Sequence, residues 1–213
     1  MDTRPINNKG LVNLNNFYAN LYFMIKDKTI IIIPGFGESV ENATYPVIKK
    51  EIKSLGYNVV FHQPKWKRNT IKKWLSDFKE FLKKFEGIKP IVLGFSFGAY
   101  ISIISAKDFR FSKIILCSLS PYFKDDIKNL PPIVYKILGQ KRINDFKDYE
   151  LPKNLGIPAI FLVGDKDINI VIQRSVSAYK KYKGNKKIIK IKGAEHDLNN
   201  KNYIDEIKKV LSS

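Results

Sequence analysis

The sequence predicts an α/β fold, in which a doubly wound, mainly parallel sheet carries helices on both of its faces. Two observations support this prediction. Short runs rich in β-branched residues alternate along the chain with longer amphipathic stretches, as they do in successive βαβ units. Most of the short runs are apolar at nearly every position, which is typical of strands buried between two layers of helices.

Six runs have the length and composition of strands. They are rich in Ile, Val, Leu and Phe, and Gly, Pro or polar residues flank most of them. In chain order, the predicted strands cover residues 28–34, 58–62, 90–95, 113–117, 159–163 and 187–191.

Helical periodicity is clearest between residues 69 and 85, where the apolar side chains form one stripe at helical spacing. Asn69 or Thr70 can cap the start of this helix, and Gly87 follows its end. The stretch 97–107 is apolar almost all round, which predicts a buried helix. The remaining predicted helices cover residues 40–55, 171–182 and 202–211.

The length of 213 residues fits one ordinary domain and leaves little room for two. No internal repeat, low-complexity tract or linker divides the chain, so we expect a single domain over residues 1–213, with 1–28 as an N-terminal edge segment. Cys117 is the only cysteine, which excludes an intrachain disulfide and a four-cysteine zinc site. We expect it to pack as a small buried apolar residue.

The net charge of +18 would by itself suggest a polyanionic partner. However, the basic residues are 33 lysines and only 5 arginines, beside 30 isoleucines and 17 asparagines, a composition that AT-rich codons favour. Proteins that read phosphate or base edges usually rely on arginine. We therefore do not expect nucleic acid as the main partner.

Targeting signals are not evident in the sequence. The first sixteen residues are polar, and charged residues interrupt the most apolar stretch, 21–34, so we expect no membrane span. With few cysteines and no recognised leader, the expected location is the cytoplasm.

Ligands of such folds bind at the carboxyl ends of the strands, so the loops that follow strands are the first place to look for chemistry. The loop after the third predicted strand reads Gly94-Phe95-Ser96-Phe97-Gly98, a G-x-S-x-G motif between a strand and a helix. This spacing predicts that Ser96 lies on a sharp, strained turn, where Gly94 and Gly98 come too close to tolerate side chains. Ser96 is therefore the candidate nucleophile.

Two later loops supply candidate partners for the serine. The loop after the fifth predicted strand contains Asp165 and Asp167, and either carboxylate could orient a histidine. The loop after the sixth contains His196. The order of serine, aspartate and histidine along the chain is the one expected of a nucleophile-elbow hydrolase. The other histidine, His62, precedes the serine and does not fit this order, so a structural or rim position is expected for it.

Four motifs are similar to those of the α/β-hydrolase superfamily. They are IIIIPGFGES (30–39), LGFSFG (93–98), LVGDKD (162–167) and GAEHDL (193–198). The resemblance covers residues 29 to 213 and implies the α/β-hydrolase fold. By the pattern of that superfamily the catalytic acid is Asp167, with Asp165 as the alternative, and Ser96 and His196 complete the triad.

The resemblance also implies an oxyanion hole formed by the backbone N–H groups of Phe36 and Phe97. Many members of the superfamily have histidine where this chain has Pro34. This difference is expected to affect the shape of the turn and not the chemistry. In the superfamily a cap is inserted between the strands that here end at 117 and begin at 159. A small cap insertion is therefore expected over about residues 119–156, leaving the site fairly open.

Aromatic residues near these loops are candidates for an apolar acyl pocket, although the same side chains could belong to the core. The candidate substrate-binding residues are Phe95, Tyr122 and Phe123, with Phe36 and Phe97 beside them.

The expected activity is that of a serine hydrolase acting on a small-molecule carboxylic ester or thioester, with no metal and no organic cofactor. One alternative is a thioesterase or esterase for acyl groups on an acidic acyl carrier or coenzyme A, which the lysines would attract. Another, from a different class, is a non-catalytic binding scaffold of the same fold. A peptidase also remains open.

Overall fold

The computed structural model of the protein describes residues 28–120 and 122–212. The N-terminal edge segment expected over residues 1–28 lies outside the described residues except for Lys28.

The described residues form a six-stranded sheet in which every pair of neighbouring strands is parallel. This confirms the predicted parallel sheet, and each strand ends within one residue of its predicted bounds. The strands are β1 (Thr29–Ile33), β2 (Asn58–Phe61), β3 (Ile91–Phe95), β4 (Lys113–Cys117), β5 (Ala159–Gly164) and β6 (Lys186–Ile191).

The strand order is β2-β1-β3-β4-β5-β6. Strand β2 therefore lies on one side of β1, and β3 to β6 follow one another on the other side. The order therefore reverses between β1 and β3, which is where ligands of doubly wound sheets bind. Ile33 pairs with Gly94 at this point, so the loops that follow β1 and β3 start side by side.

The helices found among the described residues correspond to those predicted, together with two short ones between β4 and β5. They are α1 (Thr44–Ser54), α2 (Ile71–Leu82), α3 (Phe97–Ser105), α4 (Pro132–Leu138), α5 (Gln140–Phe146), α6 (Asn169–Lys181) and α7 (Lys201–Ser212). Short 3₁₀ turns cover Lys83–Phe85 and Lys124–Asn129.

Helix α2 begins where the Thr70 side chain accepts a hydrogen bond from the Lys73 backbone N–H at 3.3 Å, so Thr70 rather than Asn69 is the cap. A carboxylate oxygen of Asp145 on α5 accepts the N–H of Ile71 at 3.0 Å. The short helices between β4 and β5 are therefore tied to the start of α2, at the carboxyl edge of the sheet.

Helices cover both faces of the sheet, as predicted. Alternate residues of β1 point to opposite faces, with Ile31 and Ile33 in one apolar cluster and Ile30 and Ile32 in the other. The first cluster includes residues of α2, α3 and α6, and the second includes residues of α1 and α7.

Every residue of α3 is buried, which explains why this stretch is apolar all round. Cys117 at the end of β4 is also buried, as expected, and burial raises the pKa of its thiol. None of the helices formed by residues 28–120 and 122–212 is long and apolar enough to cross a membrane.

Candidate active site

Ser96 lies on a strained turn between β3 and α3. Its backbone has a φ of 54° and a ψ of −115°, a conformation that residues with side chains rarely adopt. A methyl group added at Gly94 would collide with the backbone of Gly98, and one added at Gly98 would collide with the Ile33 carbonyl. Both glycines are therefore required by close packing, as the motif predicted.

Ser96, His196 and Asp167 form one chain of hydrogen bonds. The Nε2 atom of His196 lies 3.1 Å from the Ser96 Oγ, and its Nδ1 lies 2.8 Å from the Asp167 Oδ1. An Nδ1–H that donates to the carboxylate leaves Nε2 free to accept the serine proton. The Asp167 side chain is fully buried, whereas that of His196 is 25% exposed, so the imidazole is open to solvent and to a ligand.

Asp165, the alternative acid, has a different position. Its carboxylate is exposed and accepts the backbone N–H of Gly193 at 2.7 Å, which joins the loops that follow β5 and β6. A side chain at Gly164 would collide with the backbone of Ala194, so these two loops pack closely. The structure thus brings Asp167, and not Asp165, to His196.

The Asp167 carboxylate has further donors. Its Oδ1 accepts the backbone N–H of Ile168 at 2.6 Å, and its Oδ2 accepts the Ser118 hydroxyl at 2.5 Å. The Ser118 Oγ lies 2.7 Å from the Tyr203 hydroxyl. Because a carboxylate can only accept, Ser118 uses its proton there. The one proton of Tyr203 then has two acceptors, the Ser118 Oγ at 2.7 Å and the Leu162 carbonyl at 3.1 Å, and the shorter contact is the one to Ser118.

Ser118 and Tyr203 are fully buried, and burial holds the pKa of the Tyr203 phenol well above its usual range. The phenol therefore keeps the proton that this network needs. Neither residue was predicted from the sequence. Ser118 directly follows β4 and has a φ of 50°, so its place after a strand was an available signal. Tyr203 on α7 carries no comparable local signal.

The loop after β1 is held by Glu38. Its carboxylate accepts the Gly35 backbone N–H at 2.7 Å and also accepts the Tyr45 hydroxyl. Burial and the Glu38 charge both raise the pKa of the Tyr45 phenol, so Tyr45 remains a donor. Phe36, which follows Gly35, is held by these contacts beside the end of β3.

Phe36 and Phe97, whose N–H groups are the predicted oxyanion donors, lie close together, with ring centroids 5.0 Å apart. In the described part of the chain, neither N–H donates to a backbone or side-chain acceptor. Both are thus available to a ligand, and their role as oxyanion donors remains a prediction.

An aromatic cluster surrounds Phe36, and we define it as Phe36, Trp66, Trp74 and Phe97. The Phe36 ring centroid lies 5.5 Å from that of Trp66 and 5.8 Å from that of Trp74. The indole N–H of Trp66 donates to the Glu38 carbonyl at 3.1 Å, which ties the cluster to the loop after β1.

Of the three candidate substrate-binding residues, the structure brings only Phe95 to the imidazole, with ring centroids 5.0 Å apart. Tyr122 and Phe123 are buried in the core. The Tyr122 ring lies 4.0 Å from the Arg174 guanidinium, and the Phe123 ring packs on Tyr100. A role in substrate binding stays a prediction for all three.

His62 lies apart from this chain of hydrogen bonds. Its buried ring packs against Phe78 and Phe81, with centroids 4.8 and 4.9 Å away. Burial lowers the pKa of His62 to about 4, so this side chain is neutral at pH 7. This packing agrees with the structural position expected for it.

Lysines of α2 and the end of α3 border a different region of the molecule. A cavity of about 710 Å³ lies between these helices, with Lys72, Lys79, Lys83 and Lys107 among the residues that line it. Acidic side chains share this lining, and Asp108 pairs with Lys79 at 3.7 Å. None of Ser96, Asp167 and His196 is among the lining residues.

A scan of protein-family models found no match, and a search of curated protein sequences found none either. Solved structures do match. Est1E from Butyrivibrio proteoclasticus is 15% identical with a TM-score of 0.72, over 88% of this chain and 86% of that one. Alpha/beta hydrolase domain-containing protein 10 from mouse is 18% identical with a TM-score of 0.72, over 86% of this chain and 88% of that one. The chain has the α/β-hydrolase fold.

The esterase domain of a Rhodothermus marinus protein is also similar, at 15% identity and a TM-score of 0.67, over 86% of this chain and 84% of that one. Within the α/β-hydrolase fold of this chain, Ser96 follows β3, Asp167 follows β5 and His196 follows β6. All three loops leave the carboxyl edge of the sheet. The described residues between β4 and β5, 118–120 and 122–158, form a 3₁₀ turn and two short helices.

Proposed function

We propose that the protein is a serine hydrolase that cleaves a carboxylic ester or thioester through an acyl-enzyme. The observation that carries the proposal is the hydrogen-bonded chain from Ser96 to His196 to Asp167, with distances of 3.1 and 2.8 Å. This arrangement occurs on an α/β-hydrolase fold, at the edge of the sheet where such folds bind ligands. The structurally similar domain from the Rhodothermus marinus protein is an esterase domain, which supports the same class.

In the first step His196 Nε2 accepts the Ser96 proton while the Ser96 Oγ attacks the acyl carbonyl carbon. The imidazole becomes a cation in this step. Asp167 accepts the Nδ1–H and stabilises that cation, and the hydrogen bond to Ser118 keeps the carboxylate in place.

The carbonyl oxygen becomes an oxyanion, which the N–H groups of Phe36 and Phe97 receive. One such donor contributes about 3 to 4 kcal/mol to transition-state stability in a comparable enzyme. The His196 cation then protonates the departing alcohol or thiol. Water, deprotonated by His196, attacks the acyl-enzyme and releases the acid and the free Ser96.

The experiment compares Ser96→Ala with wild type and with Ser112→Ala, which changes an exposed serine at the start of β4. The readouts are hydrolysis of 4-nitrophenyl butyrate and a butyryl thioester, and covalent labelling by a fluorophosphonate. We expect wild type and Ser112→Ala to hydrolyse at least one substrate and to be labelled. Ser96→Ala should not be labelled, and its hydrolysis rate should be at least a thousandfold lower than that of wild type. Removal of the nucleophilic serine from a serine protease has an effect of at least this size.

Circular dichroism and the unfolding midpoint of Ser96→Ala check that it is folded. Hydrolysis by Ser96→Ala at the wild-type rate would refute the serine mechanism. A folded wild-type protein that is neither labelled nor active on either substrate would favour the non-catalytic scaffold instead.

A further inference from the structure

Arg142 on α5 is a partly buried cation at the edge of the aromatic cluster. The centre of its guanidinium lies 5.0 Å from the Phe36 ring centroid and 5.8 Å from that of Trp74. One N–H donates to the Leu138 carbonyl at 3.3 Å. Among residues 28–120 and 122–212, no carboxylate lies within ion-pair distance of it.

The carboxylates that belong to the neighbouring elements are already engaged. Asp145, one turn further along α5, accepts the Ile71 N–H at the start of α2. Glu38 accepts the Gly35 N–H and the Tyr45 hydroxyl. Arg142 is partly exposed, and one of its five N–H donors has an acceptor among the described residues, so the others can bind an anion that approaches this side chain. The aromatic rings compensate its charge only in part.

The position of Arg142 relative to Ser96 follows from two ring contacts. The guanidinium lies over the Phe36 ring, that ring contacts Phe97, and Phe97 directly follows Ser96. The cation is thus at the far end of the aromatic cluster from the serine. The hydrogen bond between Asp145 and Ile71 holds α5 in this place.

The strand order decides which part of a substrate would face this cluster. Phe36 follows β1, on one side of β3, whereas Asp167 and His196 follow β5 and β6, on the other side. The leaving group must depart toward His196, because the imidazole protonates it. The oxyanion points to the N–H groups of Phe36 and Phe97, so the acyl group takes the remaining direction, away from His196 and past the Phe36 side chain toward Arg142.

We propose that the site takes an acyl group that ends in a carboxylate, as in the half-ester or half-thioester of a dicarboxylic acid. Phe36 is the partly buried member of the aromatic cluster, so its ring contacts the methylene chain, and the Arg142 guanidinium binds the terminal carboxylate through paired N–H groups. This inference rests on the proposed serine mechanism and names the substrate class for the same site.

The test uses two substrates of equal length, mono-4-nitrophenyl adipate and its uncharged partner, 4-nitrophenyl methyl adipate. The measured quantity is the ratio of kcat/KM for the charged ester to that for the uncharged one, with Ser96→Ala as the blank. The variants are Arg142→Gln, Arg142→Lys and Lys141→Gln, the last of which changes an exposed neighbouring cation and serves as control.

We expect wild type and Lys141→Gln to prefer the charged ester. Arg142→Gln should lower the ratio by roughly ten- to a hundredfold, mainly through KM, because a charge-assisted hydrogen-bonded pair is lost. Arg142→Lys should fall between them, since it keeps the charge but not the planar fork.

A wild-type preference for the uncharged ester, or a ratio that Arg142→Gln leaves unchanged, would overturn the proposal. The wild-type preference keeps the test decisive even where Arg142→Gln fails to fold. Hydrolysis of the uncharged ester that depends on Ser96, without any preference for the charged one, would reject this inference alone. Hydrolysis that does not depend on Ser96 would reject the proposed function itself.

Discussion

Asp167 and Phe36 lie on opposite sides of Ser96, and the protein holds them by different forces. Asp167 accepts directional hydrogen bonds from Ser118, Ile168 and His196. Phe36 is surrounded by aromatic rings, and the Arg142 guanidinium over its ring has no ion-pair partner among the described residues. The hydrogen bonds on the Asp167 side can maintain one geometry, as proton transfer requires. The Phe36 side offers non-directional contacts with aromatic rings and a guanidinium without an ion-pair partner.

We therefore expect substitutions on the two sides of Ser96 to affect different properties of the protein. Changes on the Asp167 side should act on the rate of the chemical step, and changes on the aromatic side should act on substrate choice and on the stability of the fold. Three predictions below test the Asp167 side, and one tests His62, a titratable side chain that aromatic packing holds elsewhere in the molecule.

The largest effect is expected for Asp167→Asn, which should lower kcat by roughly a thousand- to ten-thousandfold because the amide no longer holds the required tautomer of His196. Asp165→Asn is the matched control and should stay within a few-fold of wild type, since Asp165 only accepts the Gly193 N–H. Kinetics on 4-nitrophenyl butyrate measure both variants. A larger loss for Asp165→Asn would mean that the acid has been misassigned.

The second prediction concerns the pH dependence of folding stability that results from the burial of His62 among apolar side chains. Folding lowers the pKa of His62 from 6.5 to about 4, so between these values the unfolded chain binds a proton that the folded chain does not. Stability from this residue is therefore complete above pH 6.5 and falls by about 3 kcal/mol as the pH drops to 4. His62→Leu should have a flatter profile in urea unfolding at pH 7, 5.5 and 4.5. Parallel profiles for the two proteins would show that His62 does not titrate in this way.

The third prediction separates the hydroxyl of Ser118 from its backbone. Ser118→Ala and Ser118→Gly both remove the donor to Asp167, and each should lower kcat by roughly tenfold or more, since a hydrogen bond to a charged group contributes about 1.5–3 kcal/mol. Glycine also relieves the strain of the positive φ. A loss of activity in the alanine variant only would place the cause in the backbone and not in the hydroxyl.

The smallest effect is expected for Tyr203→Phe, which removes the donor to Ser118. The variant also loses the contact of the hydroxyl with the Leu162 carbonyl at 3.1 Å, and we expect the Tm to fall by roughly 2–4 °C. The kcat should fall a few-fold because Ser118 is less well held.

Tyr57→Phe is the control for Tyr203→Phe. The Tyr57 hydroxyl likewise links α7 to the rest of the fold, by donating to the Leu211 carbonyl at 2.8 Å, but it does not contact Ser118. The Tyr57→Phe change should lower the Tm by a similar amount and leave kcat unchanged. Equal losses of kcat in both variants would mean that the catalytic residues respond only to the general packing of α7.

The strands were predictable because each is a short, continuous run rich in apolar residues. Gly, Pro or polar residues flank most of these runs, so the strand ends can be located from the local sequence as well. Helix α1 begins four residues later than its predicted start at Val40. The Val40 N–H donates to the Gln63 side chain and the Asn42 N–H to the Ser39 carbonyl, so this segment forms turns. The contact with Gln63 comes from a distant loop, and a local pattern cannot reveal it.

The candidate site divides in the same way. Ser96 and His196 were identifiable because each lies in a short motif directly after a strand, and the choice between Asp165 and Asp167 depended on resemblance. Ser118 and Tyr203 meet only when β4 and α7 pack on each other, 85 residues apart. The contacts of Arg142 likewise involve residues far along the chain.

The place of Tyr203 on α7 has a consequence for biosynthesis. A ribosome adds α7 after it has made Ser96, Asp167 and His196, so a nascent chain can carry all three residues before Tyr203 has emerged. In such a chain Ser118 lacks its phenol partner, and the face of the sheet that α7 covers is bare to water. The hydrogen-bond network behind Asp167 is therefore completed only when α7 has been made and has packed on the sheet.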